Sequence, residues 1–280
     1  MDKQKIMLLV VIALLPAALT GVYMYGMRSA LIILAGIAAA LGTDLVLQKL
    51  TGQNLGWLNW SSILTGLLLA LILPPTVPLW MPVLGVIFAV ALGKYAFGVG
   101  NNIFNPALIG RAFLVISWPK LMTTWITPDG MTGATPLAGA QAAKMDMFIG
   151  NIGGCIGETS ALALLLGGIF LIALRIIDWK VPAVYIGAVF ISAWIFGQDP
   201  VFHILAGGLM IGAFFMATDY VTIPLNPLGR LIFAFGCGIM TVIFRLFSGM
   251  PEGVMYSILL MNMAAPLIER LTRPRPFGAR

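Results

Sequence analysis

The chain has 280 residues, of which 60 % are apolar and only 9 % charged, and its mean hydropathy is +1.00. A soluble domain carries about a quarter charged residues, so the composition excludes a soluble surface and makes lipid the bulk solvent. The net charge is +6, yet no stretch interleaves basic with aromatic residues as a nucleic-acid groove does, and no nucleic-acid partner is expected.

The N-terminal stretch Met1–Lys5 leads into an apolar run from Ile6 to Tyr25. That run approaches the roughly 20 residues needed to span a bilayer. It reads as a first membrane helix with its positive end in the cytoplasm, not as a signal peptide. Further apolar segments follow at 29–48, 61–75, 80–98, 103–118, 153–177, 180–197, 201–218, 229–247 and 253–269. Together they predict an all-α polytopic membrane protein of about ten transmembrane helices. The third and fifth segments are short and bounded by Pro74, Pro75, Pro106 and Pro119. Partial helices persist in a membrane only where protein or water covers the freed backbone groups. An even number of crossings leaves both termini on one side. With the N-terminus inside, Lys49, Arg175, Lys180, Arg230 and the basic tail Arg270–Arg280 fall inside too, as the positive-inside bias favours. Arg28, Lys120, Lys144 and Arg245 fall outside or near it.

The longest connection, Lys120 to Met147, is expected on the outer face. It divides the chain into a first five-helix membrane repeat (1–118), an outer loop (119–147), and a second five-helix repeat with a basic cytoplasmic tail (148–280). Two echoes support a duplication. Phe104-Asn105-Pro106-Ala107-Leu108-Ile109-Gly110-Arg111 resembles Leu225-Asn226-Pro227-Leu228-Gly229-Arg230, and the phrase from Ile63 resembles the one from Ile204. An odd number of helices per repeat would place the halves upside down to each other, an inverted-repeat plan.

The outer loop contains Asp129-Gly130-Met131-Thr132-Gly133-Ala134-Thr135-Pro136-Leu137. Pro136 pushes Thr135 into an extended conformation and suits the first turn of a helix. The Ala-rich stretch 137–147 is expected to be helical, with Thr135 as its N-cap. Gly133 and Ala134 add little bulk, so the Thr135 hydroxyl stays accessible. A phosphate there would meet free N–H groups and the positive end of the helix dipole, although an ordinary capping threonine has the same signature.

The phrase Asp129-x-x-Thr132-Gly133-Ala134-Thr135 resembles the target of the flavin transferase (ApbE-type) that moves flavin mononucleotide (FMN) from FAD onto a threonine hydroxyl. In such targets the last threonine is modified, which here is Thr135. The motif is that of the NqrB/RnfD family of membrane subunits. Four more phrases match that family in order: Gly98–Asn102 running into Asn105-Pro106-Ala107, Gly153–Ser160, Met216–Thr222 and Pro251–Val254. The likeness covers the chain from about residue 20 to residue 270. The extra N-terminal sequence of NqrB-type members is lacking, and Gly157-Glu158-Thr159-Ser160 looks more like the Rnf side of the family.

This resemblance implies a subunit of an ion-translocating Rnf-type ferredoxin:NAD oxidoreductase in the cytoplasmic (inner) membrane of a bacterium or archaeon. It implies electron relay through FMN phosphoester-linked to Thr135 and through a noncovalent riboflavin nearer the cytoplasm, coupled to Na⁺ or H⁺ movement. Implied partners are Rnf subunits A, B, C, E and G, the flavin transferase during maturation, and membrane lipid. Asn102 and Asn105 match the riboflavin-holding region. Their amides suit a flavin's uracil-like edge, but asparagine also caps helices. No Rossmann or phosphate-loop signature occurs, since Gly98-x-Gly100 lacks a preceding strand. The nicotinamide and ferredoxin sites are therefore expected on other subunits, and no catalytic residue is expected on this chain.

Asp44, Glu158, Asp219 and, less deeply, Glu252 lie in or beside apolar segments. An intramembrane carboxylate needs a partner or a polar cavity. Asp44, Glu158 and Asp219 are candidates for the ion path, or else are satisfied by helix ends, Arg111, Arg230 or Lys94. Trp57/Trp60 and Trp118/Trp125 read as interfacial anchors. Cys155 and Cys237 lack metal-ligand spacing and read as packing residues, and no metal is expected. His203, the single histidine, offers no haem ligand pair. Two rival readings use the same segments: a solute channel without redox function, and a structural anchor for redox subunits. Neither gives a reason for the motif ending at Thr135.

Overall fold

The structure, a computed structural model, describes residues 2–52, 58–98, 101–248 and 252–273. Trp57, Val99, Gly100, Pro251 and the tail beyond residue 273 lie outside the described residues.

Four helices are long and apolar enough to cross a membrane: α1 (Lys3–Tyr25), α2 (Met27–Thr51), and, at the other end of the chain, Pro227–Phe247 and Val254–Thr272. Between them lie shorter apolar helices. These are α3 (Trp60–Leu71), α4 (Trp80–Val90) continued by a π-helical turn at Ala91–Tyr95, and α5 (Pro106–Ser117). After the short α6 (Pro119–Met122) and α7 (Lys144–Ile149) come α8 (Ala161–Ala173) and α9 (Lys180–Ile195). The segment expected at 201–218 is broken into α10 (Pro200–Leu205) and α11 (Leu209–Ile211), the latter continued by a second π turn at Gly212–Met216. Pro227–Phe247 is α12 and Val254–Thr272 is α13. The protein is an all-α, multi-pass membrane protein, and strand structure among the described residues is confined to one two-residue pair in the long loop.

Local chemistry explains the helix starts. Asn105 and Asn226 each precede a proline at the first helical position, where the missing N–H would have no intrahelical partner. Their side chains accept from the freed backbone amides: Asn105 Oδ1 from Ala107 and Leu108, and Asn226 Oδ1 from Leu228. The Asn-Pro phrase marks a wider correspondence between the halves. In each, a π turn begins 15 residues before that proline, at Ala91 for Pro106 and at Gly212 for Pro227. The Ile63 and Ile204 phrases fall outside this correspondence. One lies in the continuous α3, whereas the other spans the break at Ala206–Gly208, where Gly207 takes a φ of 65°.

The expected helix 153–177 is a correction. Only 161–173 is helical, and 150–160 forms turns that dock on the end of α3. There Ile156 N–H donates to Leu73 O (3.0 Å) and Gly157 N–H to Leu71 O (2.7 Å). The glycines at 150, 153, 154 and 157 favour this path over a helix. These bonds cover backbone groups left free where α3 stops short.

α1 packs against both α3 and α8 and so bridges the two halves; α2 packs on α3 and α4, α4 on α5, and α12 on α9 and α13. With lipid outside, such contacts rest on close backbone approach at small residues. A Cβ built on Gly66 would sit 2.5 Å from Gly36 O, whereas one on Gly42 would meet nothing within 4 Å. Gly66→Val is therefore expected to lower stability by about 1–3 kcal/mol through overpacking, while Gly42→Val leaves it nearly unchanged. Thermal melting of the detergent-solubilised protein measures both.

Candidate functional site

The long loop is held by a short hairpin. β1 (Trp125–Ile126) pairs antiparallel with β2 (Thr132–Gly133), Trp125 opposite Gly133 and Ile126 opposite Thr132. The turn closes through Thr127 N–H to Met131 O (2.9 Å), and Gly130 supplies the left-handed residue with a φ of 79°. Asp129, Thr132, Gly133 and Ala134 are exposed, and Thr135 is half-buried. Thr135 is extended (φ −74°, ψ 163°), as Pro136 requires. The helix expected after it does not form. Pro136–Ala138 makes a single 3₁₀ turn ended by Gly139 at φ 100°, and the next helix starts only at Lys144. The Thr135 side chain makes no capping bond, so its hydroxyl is not engaged as an N-cap. Lys144, at the end of the loop, pairs with Asp199 (2.5 Å) and holds that carboxyl below the usual carboxylate range.

Thr135 borders a cleft whose floor includes Arg111, Cys155, Glu158, Thr159 and Glu252, with Trp125 on one wall. An adjoining cleft shares Arg111, Trp125 and Glu252 and runs along Val115, Met122 and Tyr256. Arg111, on α5, is the centre of the floor. Its Nη1 donates to Glu158 Oε1 at 2.7 Å, its Nη2 pairs with Glu252, and its Nη2 lies 3.5 Å from Cys155 Sγ. Side-chain exposures are 3 % for Arg111, 6 % for Glu158 and 21 % for Glu252. Gly208 makes room for this cluster, since a Cβ there would lie 2.7 Å from Glu158 Oε1. Burial pushes the Glu252 carboxyl up to about 7, with Arg111 opposing and Glu158 adding to the rise. Three polar atoms on residues lining the cleft are buried without a partner among the described residues: Arg111 Nε, Trp125 Nε1 and Thr159 Oγ1. Buried polar atoms are normally satisfied, so three orphans around one cleft leave hydrogen-bonding groups open to water or to a ligand with acceptor atoms.

A second cleft lies at the other end of α1. It is lined by Ile6 and Met7 at the start of that helix and by Lys94, Asn102, Asn105 and Asp219. At the opposite end of α1, Tyr25 donates to Ile152 O (2.9 Å), beside the Thr135 cleft. The 23 residues of α1 span roughly 34 Å at 1.5 Å each, so the clefts sit at opposite faces of the bundle. Asn102 Oδ1 is buried and without a partner among the described residues. Asn105 Oδ1 is occupied as the cap of α5, and its backbone N–H donates to Asn262 Oδ1 (3.1 Å).

The acidic residues separate into different settings. Glu158 is claimed by Arg111. Asp44 accepts from Tyr95 Oη (2.7 Å), Gln48 Nε2 (3.0 Å) and Asn59 Nδ2 (3.1 Å), all neutral donors. Asp219 turns one oxygen to Val221 N–H (3.2 Å) and lines the second cleft. Lys94, bonded to Ser61 O (2.7 Å), is within electrostatic reach of both Asp44 and Asp219. Trp118 packs edge-on against Trp80 with centroids 5.0 Å apart. Trp125, expected as an interfacial anchor, instead lines both clefts on the Thr135 side. Cys155 and Cys237 are both buried. Sequence reasoning missed Trp125 and gave Arg111 only a supporting part. An arginine within an apolar helix was itself the available signal.

Residues 1–278 match the NQR2, RnfD, RnfE family. The chain is 47 % identical over 282 residues to the D subunit of the Na⁺-translocating ferredoxin:NAD⁺ oxidoreductase complex of Acetobacterium woodii, covering 96 % of this chain and 89 % of the relative. It is 46 % identical to the D subunit of the proton-translocating ferredoxin:NAD⁺ oxidoreductase complex of Clostridium ljungdahlii, covering 99 % and 92 %. The D subunit of the ion-translocating oxidoreductase complex of Methanosarcina acetivorans is 37 % identical, with 96 % and 90 % covered.

Removing the cation from the floor leaves two buried carboxylates unpaired. Arg111→Met is expected to lower stability by about 3–5 kcal/mol, and a further Glu158→Gln recovers part of the loss, both read by thermal melting in detergent.

Proposed function

The chain belongs to the NQR2, RnfD, RnfE family, and from that premise we propose that it is the D subunit, the membrane electron relay, of an ion-translocating ferredoxin:NAD⁺ oxidoreductase complex. The relatives at 46–47 % identity over nearly the whole chain support this reading. On it, the other Rnf subunits (A, B, C, E and G) are partners and carry the nicotinamide and ferredoxin sites. The complex lies in the cytoplasmic membrane, with both termini of this chain inside and the Thr135 loop outside.

The carrier on this chain is FMN esterified through its phosphate to Thr135 by a flavin transferase (ApbE-type). The observation that carries this is the exposed Asp129–Ala134 phrase ending in a half-buried threonine at the mouth of a cleft lined by orphaned polar atoms. The residues fit such a group. Arg111 Nε, Trp125 Nε1 and Thr159 Oγ1 offer the donors that phosphate and carbonyl oxygens need. The extended backbone at Thr135 and the small side chains of Gly133 and Ala134 leave the hydroxyl open to the transferase. When bound, the isoalloxazine supplies one- and two-electron chemistry. The chain's own part is to hold it over the Arg111 floor.

Riboflavin is the group proposed for the second cleft, where the orphaned Asn102 Oδ1 would accept from an imide N–H and Lys94 would add a positive charge. Asn105 shapes that cleft from its capping position. Asp44 and Asp219, flanking Lys94, are the residues proposed for the Na⁺ or H⁺ path on this side. A solute channel accounts for the clefts but gives no reason for the Asp129–Thr135 phrase.

Two measurements test the reading. In membranes made together with the transferase, the protein gives a yellow-fluorescent band on a denaturing gel and one FMN mass on the peptide spanning Asp129–Lys144. Thr135→Ala abolishes both while the protein still accumulates, and a fluorescent Thr135→Ala band would sink the assignment. Asp219→Asn and Asp44→Asn are expected to reduce ion uptake by vesicles more than electron transfer. Full coupling in both variants would remove them from the path.

A further inference from the structure

We propose that Glu252 takes up one proton from water each time an electron arrives at the group on Thr135, and releases it when that electron leaves. The inference rests on the reading of Thr135 as a flavin carrier.

One guanidinium, Arg111, serves two carboxylates, Glu158 and Glu252. A second cation, Arg245, lies within electrostatic reach of both carboxylates. Arg245, on α12, keeps its charge while donating to the carbonyls of His203 (2.5 Å) and Ala206 (2.8 Å) at the end of α10, and it makes no direct ion pair with either carboxylate among the described residues. Cys155 beside Arg111, Tyr25 from α1 and Tyr256 from α13 are neutral at ordinary pH. With both carboxylates ionised, Arg111 and Arg245 balance the floor, and a phosphoester on Thr135 would make it net negative. An arriving electron places one more negative charge in the same confined space, where like charges disfavour the ionised form of a carboxyl. Protonating one carboxylate is the compensation open to this cluster.

The two carboxylates are not equivalent. Glu158 is 6 % exposed, lines only the Thr135 cleft and is wedged against Gly208. Glu252 is 21 % exposed and, of the two carboxylates, is the one that lines both clefts. Its carboxyl already sits near neutrality. Thr159 Oγ1, 1 % exposed and unpartnered, lines the same cleft and offers a hydroxyl to a ligand or water at the floor. The step balances simply. A one-electron donor of the flavin or iron–sulfur class elsewhere in the complex is oxidised, the Thr135-linked group gains that electron, and an O–H bond forms at a Glu252 carboxyl oxygen from a proton of water. When the electron leaves, that O–H bond breaks and the proton returns.

The test is electrochemically induced infrared difference spectroscopy on the assembled, flavinylated complex. Reduction of the Thr135-linked flavin, followed by its visible bleaching, is expected to raise a carboxylic-acid C=O band that shifts in D₂O. Glu252→Gln loses the band, Glu158→Gln keeps it, and the midpoint potential falls less steeply with pH in Glu252→Gln than in the wild type. If Glu252→Gln does not assemble, Glu252→Asp is expected to keep the band at a shifted position, and an unshifted band overturns the proposal. Bleaching of the flavin with no acid band in the wild type, or survival of the band in Glu252→Gln, overturns it while leaving the flavin assignment intact. Absence of any covalent flavin from Thr135 overturns both.

Discussion

Arg111 stands in a helix flanked by apolar residues, and its guanidinium is bonded to carboxylates from two distant parts of the chain. Glu158, 47 residues away, belongs to the turns that cover the end of α3, and Glu252 belongs to the connection into α13. A buried charge in a membrane protein is tolerated only when paired. The pairing therefore fixes α5, the 150–160 turns and the start of α13 relative to one another. The Thr135 cleft and its neighbour both have this cluster as a wall, and their shape depends on it.

The interrupted helices belong to the same arrangement. α3 stops at Leu71 and the chain returns at 150–160 to take its free carbonyls. α10 stops at Leu205, and Arg245 takes carbonyls from its end. In each case backbone that lipid could not satisfy is satisfied by protein. Irregular backbone at these breaks brings Gly153, Cys155, Glu158 and Gly207 to the Thr135 cleft. A set of uninterrupted spanning helices would have carried those residues away from it.

The two clefts differ in chemistry as well as position. The Thr135 side concentrates charge, with one cation between two acids. The other side also holds a cation and two acids, but Lys94 is bonded to Ser61 and reaches Asp44 and Asp219 only electrostatically, while Asp44 accepts from the neutral donors Asn59, Gln48 and Tyr95. With α1 running from one cleft to the other, the two clefts lie at opposite ends of a membrane-length helix.

Composition and apolar run length were enough to identify a polytopic helical membrane protein, because hydrocarbon thickness and the need to satisfy backbone groups leave few alternatives. The phrase ending at Thr135-Pro136 was readable for the same kind of local reason: a residue before proline is extended and tiny neighbours leave its hydroxyl open. Local sequence did not decide where apolar runs break. Glycines at 150–157 and 207 permit both helix and turn, and distant carbonyls on α3 and the reach of Arg245 selected the turn. Nor could it pair Arg111 with Glu158 and Glu252, move Trp125 from membrane anchor to cleft wall, or separate Asn102 from Asn105 as orphan and cap. Those assignments depend on which buried polar atoms find partners, and partners far apart in sequence meet only once the helices have packed.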